Sequence, residues 1–354
     1  WSGDVNRTWG GLRPQMEISL QMGLQGIAYM HSDLGGFAGA NDDPELYVRW
    51  LQYGVFQPIF RPHAQQEVAS EAIFKDEKTK AMAKLAIQIR YQMLPYNYSL
   101  AFENHLKGTP LMRPVFMEDS SATWSDSLAT EYMWGNAFLV KPITKSTKSD
   151  TLGMELMKAP AGTWYDFSTG LKLNPLKSTQ LTYVPTDKIK EFEKGNAIRK
   201  DEPQLFVMKI TPDFIPVLVK GGSFVPMCPV IQSTEAYSDT TVTIHYCDAP
   251  ELSQSEGLWY EDDGLTNEAF EKGMFKILHM HMNQTAKKTN LSFTPEYGKA
   301  CSEHIFKYEV CIHSPRIPKQ IKINGKKMKV EVINERMYVR MSLKEDIQNI
   351  QLIW

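Results

Sequence analysis

Apolar residues recur every four positions at Leu12, Met16, Leu20 and Leu24, which predicts an amphipathic helix over residues 11–23 ending near Gly23. Residues 26–30 form a short apolar run that suits a buried parallel strand. A second helix is predicted over 45–54, opened by Pro44 and carrying Leu46, Trp50 and Tyr53 on one side. Residues 56–60 read as the next strand. A long helix from Lys75 places Met82, Leu85, Ile89 and Met93 on one face, with Pro95 set to interrupt it. A further helical stretch, 96–106, ends before Gly108.

After Pro110 the helical period stops. Short β-rich runs at 111–116, 137–142, 163–167, 215–219 and 223–226 are separated by turn residues, the texture of an antiparallel sandwich. The stretch 174–204 interrupts them with charge and reads as a solvated insertion. A second β-rich block follows, with strands predicted at 241–246, 258–261, 275–282, 305–312, 320–323 and 350–354. Asn324-Gly325 supplies the strongest hairpin signal in the chain.

Composition narrows the field. With 354 residues, two or three domains are expected, and 42% hydrophobic content supports real cores. A net charge of −2 excludes a basic nucleic-acid surface, and no apolar run is long enough to span a bilayer. Cys228, Cys247, Cys301 and Cys311 lack metal-ligand spacing and read as scattered small hydrophobes, so no metal is expected. Four Asn-x-Ser/Thr sites are near chance for this length and do not indicate secretion. Trp1 opens directly on a motif with no strand before it, so the sequence reads as the later piece of a longer protein.

The candidate chemistry lies in the first sixty-three residues. Asp4, Asp33 and His63 are about 30 positions apart, the length of one strand–helix repeat of a parallel barrel. Each follows a strand-like run or stands where one would end. A lone carboxylate in a loop is usually a turn former. The set is more informative: Trp1 with Asp4, then Asp33 with Phe37, then Arg61 with His63. Aromatics beside carboxylates suit sugar rings and their hydroxyls, and glycosidic cleavage needs a proton donor.

Here the sequence resembles glycoside hydrolase family 31, the α-glucosidase and α-xylosidase family. Trp1-Ser2-Gly3-Asp4 is similar to its acid/base motif, and Ser32-Asp33-Leu34-Gly35-Gly36-Phe37 to its sugar-binding loop. Tyr47 to Gly54 and then Phe60-Arg61-Pro62-His63 resemble the helix and last strand of its barrel. Arg90-Tyr91-Gln92-Met93-Leu94-Pro95-Tyr96 and Arg113-Pro114-Val115-Phe116 resemble the barrel exit and the entry to its first C-terminal domain. Trp134 to Val140, Gly162 to Phe167, Gly221 to Pro226 and Tyr260 to Gly264 resemble landmarks of the C-terminal domains.

The resemblance implies an α/β plus all-β architecture. It places about the last three strands of a (β/α)8 barrel at 1–109, a proximal β-sandwich at 110–230 and a distal one at 231–354. It implies Asp4 as general acid/base, with Trp1, Asp33, Phe37 and His63 binding the sugar. Arg61 is either a structural ion-pair partner or a sugar contact, and His31 faces either the site or the barrel wall. The family is retaining, so a second carboxylate must attack the sugar. Its nucleophile motif, of the form Trp-x-Asp-x-Asn-Glu, occurs nowhere in this sequence, and the position of Asp33 in its motif argues against its serving instead. The implied partners are an α-linked oligosaccharide and an upstream barrel segment of the same protein. No cofactor is implied, and location stays open, with export a family-level expectation. The main expectation is an α-glucosidase. An α-xylosidase and a non-catalytic glycan-binding or structural fragment are the alternatives, and the isolated chain is expected to be inactive.

Overall fold

The computed structural model describes the chain apart from residues 40–41, 121, 123–130, 148–152, 177–202, 303–305, 330, 334–335 and 340–347. The charged insertion therefore lies largely outside the described residues.

Among the described residues of the first 107, the regular structure is helical. Helices α1 (Trp9–Leu12), α2 (Gln15–Leu24), α3 (Pro44–Gly54), α4 (Glu77–Gln92) and α5 (Leu94–Lys107) follow one another. Pro44 stands in the first turn of α3, as the sequence predicts, and Asp43 caps the helix by accepting from the Glu45 and Leu46 amides. Pro95 falls in the first turn of α5 and the break comes at Met93, so one long pattern becomes two helices. The buried face of α4 is Thr79, Ala83 and Ala86; Leu85 is 40% exposed, not part of an apolar seam as expected. Small residues let α4 lie close against α3.

Neither predicted strand of this region forms a ladder among the described residues. In 26–30 the side chains alternate, with Ala28 and Met30 buried while Ile27 and Tyr29 are each 48% exposed. In 56–60 the carbonyls are claimed by a side chain. Arg90 on α4 donates to the oxygens of Val55 (2.9 Å), Gln57 (2.5 Å) and Pro58 (2.8 Å). No closed barrel is present among the described residues.

From residue 112 onward sheets dominate. One five-stranded sheet contains β1 (Met112–Arg113), β2 (Tyr132–Trp134), β3 (Phe138–Val140), β5 (Trp164–Asp166) and β7 (Val217–Lys220), in the order β1-β2-β3-β7-β5. The predicted strand at 111–116 is cut short because Val115–Glu118 turns into helix α6 after Pro114. A two-stranded sheet, β4 (Met154–Ala159) with β6 (Gln204–Lys209), faces this sheet across a core that includes Leu139, Met157, Trp164, Phe206 and Leu218. The opposite face of the five-stranded sheet presents Trp134, Phe138, Tyr165 and Val219 to the helical region, where they join Trp50, Phe56 and Tyr96 in one cluster.

Beyond Gly221 two larger sheets face each other. The first has β10 (Gln254–Asp262), β11 (Phe275–Thr285), β12 (Lys288–Tyr297), β14 (Gln320–Ile323), β15 (Lys326–Met328) and β18 (Asn349–Ile353), in the order β10-β11-β12-β18-β14-β15. The second has β8 (Phe224–Met227), β9 (Val242–Cys247), β13 (Tyr308–His313), β16 (Glu331–Ile333) and β17 (Arg336–Val339), in the order β16-β17-β13-β9-β8. Ile244, Tyr246, Val310 and Ile312 of the second meet Trp259, Met280, Leu291 and Leu352 of the first. The Asn324-Gly325 hairpin forms, with φ values of 47° and 81° and Ile323 paired to Lys326. Asp262-Asp263-Gly264 forms a turn. Asp262 accepts from Gly264 N at 2.8 Å, and Asp263 accepts from Thr266 N at 2.8 Å.

Candidate active site

Three extended segments lie side by side and bring the motif residues into one neighbourhood. Ser2 N donates to His31 O at 3.1 Å, and Asn6 bridges Ala38 in parallel. On the other side Leu34 bridges Pro62 in parallel and its amide donates to Arg61 O at 3.1 Å. The order in space is thus the order in sequence, as in successive strands of a parallel barrel.

The Asp33 loop is clasped to the segment carrying Asp4. Val5 O accepts from both Phe37 N (2.8 Å) and Ala38 N (3.0 Å), and Arg7 N donates to Ala38 O at 2.8 Å. The Arg7 guanidinium donates to Gly36 O at 3.1 Å. The two glycines make this approach possible. A Cβ at Gly36, where φ is +84°, would stand 2.7 Å from the Arg7 Cα; one at Gly35 would stand 2.9 Å from the Tyr47 ring. From behind, Trp50 on α3 donates its indole N–H to Ser32 Oγ at 2.8 Å.

Within the cluster, Asp33 is 1% exposed and its Oδ1 accepts from the half-exposed Arg61 at 3.2 Å. Arg61 is thus an ion-pair partner of Asp33 in this structure. His31 is also buried, its Nε2 3.8 Å from Asp33 Oδ1, so it stands on the Asp33 side. Both His31 ring nitrogens lack a hydrogen-bond partner among the described residues. Burial lowers the His31 pKa, with Arg61 and His63 acting in the same direction and Asp33 opposing them. The neutral imidazole, one nitrogen donating and one accepting, is therefore favoured. Phe37 and His63 face each other at 5.6 Å between ring centroids. Asp4 is exposed at a tight turn in which Val5 N donates to Gly3 O at 2.9 Å, and Trp1 is 64% exposed.

The sequence reading did not find the Arg7 clamp or the Trp50–Ser32 support. Both residues look like ordinary members of helical or loop stretches, and only the tertiary contact reveals their work. Asp43, read only as part of a polar loop, both caps α3 and accepts from the Trp9 indole at 3.0 Å.

Two family models match the sequence: "Glycosyl hydrolases family 31 TIM-barrel domain" over residues 1–100 and "Glycosyl hydrolase family 31 C-terminal domain" over residues 108–225. The chain belongs to glycoside hydrolase family 31. Its curated relatives include the neutral alpha-glucosidase AB of Homo sapiens, 29% identical over 269 residues, which span 75% of this chain and 25% of the relative. An alpha-xylosidase of Saccharolobus solfataricus is 30% identical over 285 residues, spanning 78% of this chain and 34% of that protein. Among solved structures, a Flavobacterium johnsoniae family 31 dextranase complexed with glucose superposes with a TM-score of 0.83 at 22% identity, over 100% of this chain and 44% of that one. This family 31 chain thus corresponds to a minor part of the length of its relatives.

Proposed function

We propose that this chain is the later part of a retaining, exo-acting α-glycosidase, most simply an α-glucosidase that removes terminal α-linked glucose from oligosaccharides. The observation that carries the reading is the clasp of the Asp4 segment onto the Asp33 loop, with Arg61 and His63 adjacent, in a chain of this family. In this reading residues 1–109 supply about the last three strands of the barrel. Residues 110–230 and 231–354 form two β-sandwiches, with β8 reaching from one into the other.

Asp4 acts as general acid/base and Asp33 and His63 hold sugar hydroxyls. Trp1 and Phe37 offer aromatic faces to the ring. Arg61 holds the Asp33 carboxylate in place, and His31 presents a neutral imidazole beside it. The attacking carboxylate belongs to the upstream segment, about 5–5.5 Å from the acid in a retaining pair. In such a pair the acid donates its proton to the leaving oxygen as the other carboxylate attacks the anomeric carbon, then accepts a proton from the incoming water. Ile27, Tyr29 and Ile59, exposed beside the motif segments, give the upstream segment an apolar surface to cover.

The test is Asp4→Asn in the complete protein. Turnover of substrates with poor leaving groups should fall by about 10²–10⁴-fold with the circular dichroism spectrum unchanged; near-normal turnover would sink the acid/base role. The 354-residue chain by itself should leave an aryl α-glucoside intact, and hydrolysis by it would overturn the need for an upstream nucleophile. The alpha-xylosidase relative supports a second reading, in which the sugar is xylose. A panel of maltose, isomaltose and an α-xyloside separates the two.

A further inference from the structure

The parallel pairing of β9 with β13 sets His245 opposite Cys311 and Cys247 opposite His313. Alternation along each strand puts all four side chains on the same face. That face lies away from the distal core, which takes Ile244, Tyr246, Val310 and Ile312. Three of the four converge. His245 Nδ1 is 2.9 Å from His313 Nε2, and Cys311 Sγ is 3.6 Å from the same nitrogen. All three ligating atoms fall within 4.8 Å of one another.

We propose that His245, Cys311 and His313 form a binding site for a thiophilic divalent cation, Zn2+ first. A tetrahedral ion with bonds of about 2.0–2.3 Å holds its nitrogen and sulfur ligands roughly 3.3–3.6 Å apart. The Cys311–His313 distance already fits, the two imidazoles need to part by only a few tenths of an ångström, and His245 and Cys311 stand within 4.8 Å of each other. A contact from outside the sheet orients the central ligand. His313 Nδ1 lies 3.2 Å from Gly170 O, so its N–H goes to that carbonyl and Nε2 carries the lone pair that faces the cluster. An imidazole tied to a backbone carbonyl through its far nitrogen is the usual support of a metal-bound histidine.

The fourth coordination position opens on a cavity of about 400 Å³ that His245 and His313 line together with Tyr165, Phe167 and Met227. Water from that cavity completes the shell. On binding, the Cys311 thiol releases its proton to solvent and the thiolate bonds to the ion, so the site tightens as pH rises. Because Gly170 follows β5 whereas the ligands stand on β9 and β13, the ion pins the distal sheets to the proximal one. The spacing escapes a sequence search because one ligand stands alone on β9 and the other two, as Cys-x-His, on β13, with 66 positions between His245 and Cys311.

The test uses the whole protein stripped of metal with a chelator, titrated with Zn2+ and separately with Co2+. One ion per chain should bind, Zn2+ should raise Tm, and the Co2+ form should show a thiolate charge-transfer band with the strong visible absorption of tetrahedral cobalt. Cys311→Ser should abolish the charge-transfer band, and Cys247→Ser, on the same face but outside the converging trio, should retain it. Should Cys311→Ser fail to fold, His245→Gln changes the more exposed ligand. It should weaken Zn2+ binding by more than about 100-fold, beyond the loss of an outer support. A folded protein that gives no thiolate–cobalt band, or a band that survives Cys311→Ser, overturns the proposal.

Discussion

The segments that carry the candidate site and the two distal sheets are built on opposite terms. In the distal unit β11 and β12 pair over ten residues, and Leu352, Met280 and Trp259 have no exposed surface. In the site region the neighbouring segments share isolated bridges and a few amide contacts, and Ile27, Tyr29 and Ile59 lie open. The distal unit closes its own core. The site region leaves apolar side chains and strand edges for another surface to cover. Under the proposed function, the chemistry falls in the region with open edges, whereas the distal sheets bury a core of their own.

Paired truncations break or sharpen that contrast. Leu352→Ala removes a wholly buried side chain from the distal core and should cost about 2–5 kcal/mol in chemical denaturation. Ile27→Ala, on the open segment, should change this chain's stability by less than about 0.5 kcal/mol. Equal effects would show that the two regions share one cooperative core.

Next in size is Gly36→Ala. Its Cβ would meet the Arg7 backbone at a positive φ, which should cost about 2–4 kcal/mol and part the Asp33 loop from the Asp4 segment. Gly39→Ala, three positions on, also has a positive φ but nothing within 4 Å of its Cβ. It should cost about 1 kcal/mol, so a matching loss in both would remove the close approach as the cause.

The smallest effect is a pH slope in the distal unit. Glu261 is buried, accepts from Tyr237 and from the Trp259 indole, and burial pushes its carboxyl up to about 7. The folded state therefore holds a proton between about pH 4.5 and 7 that the unfolded state has released, and stability falls as pH rises through that window. Glu261→Gln should flatten the slope and gain on the order of 2 kcal/mol at about pH 8 relative to the parent. An unchanged slope in denaturation curves at about pH 5 and 8 would assign it to another group.

What the sequence disclosed was local. Pro44, Pro95 and Asn324-Gly325 announced a helix start, a helix break and a hairpin because each acts through its own backbone dihedrals. The motif residues were legible as a set, and Asp33, Arg61, His31, Phe37 and His63 do meet. Signals that depend on distant partners were silent. Nothing in the periodicity of α4 says that Arg90 will collect three carbonyls from the turn after α3, which is why 56–60 looked like a strand. Nor does Val225 advertise that its strand pairs into the distal sheet while its side chain packs in the first core.

The placement of β8 also bears on how such chains can be inherited. β8 is the edge strand of the distal sheet, and the match to the family's C-terminal domain stops at residue 225, in the middle of it. A recombination event at that boundary would deliver a distal unit whose β9 has lost its neighbour, with a bare row of amides and carbonyls in its place. The two C-terminal units are therefore bound to travel as one heritable block, and a viable exchange point must lie elsewhere in the chain.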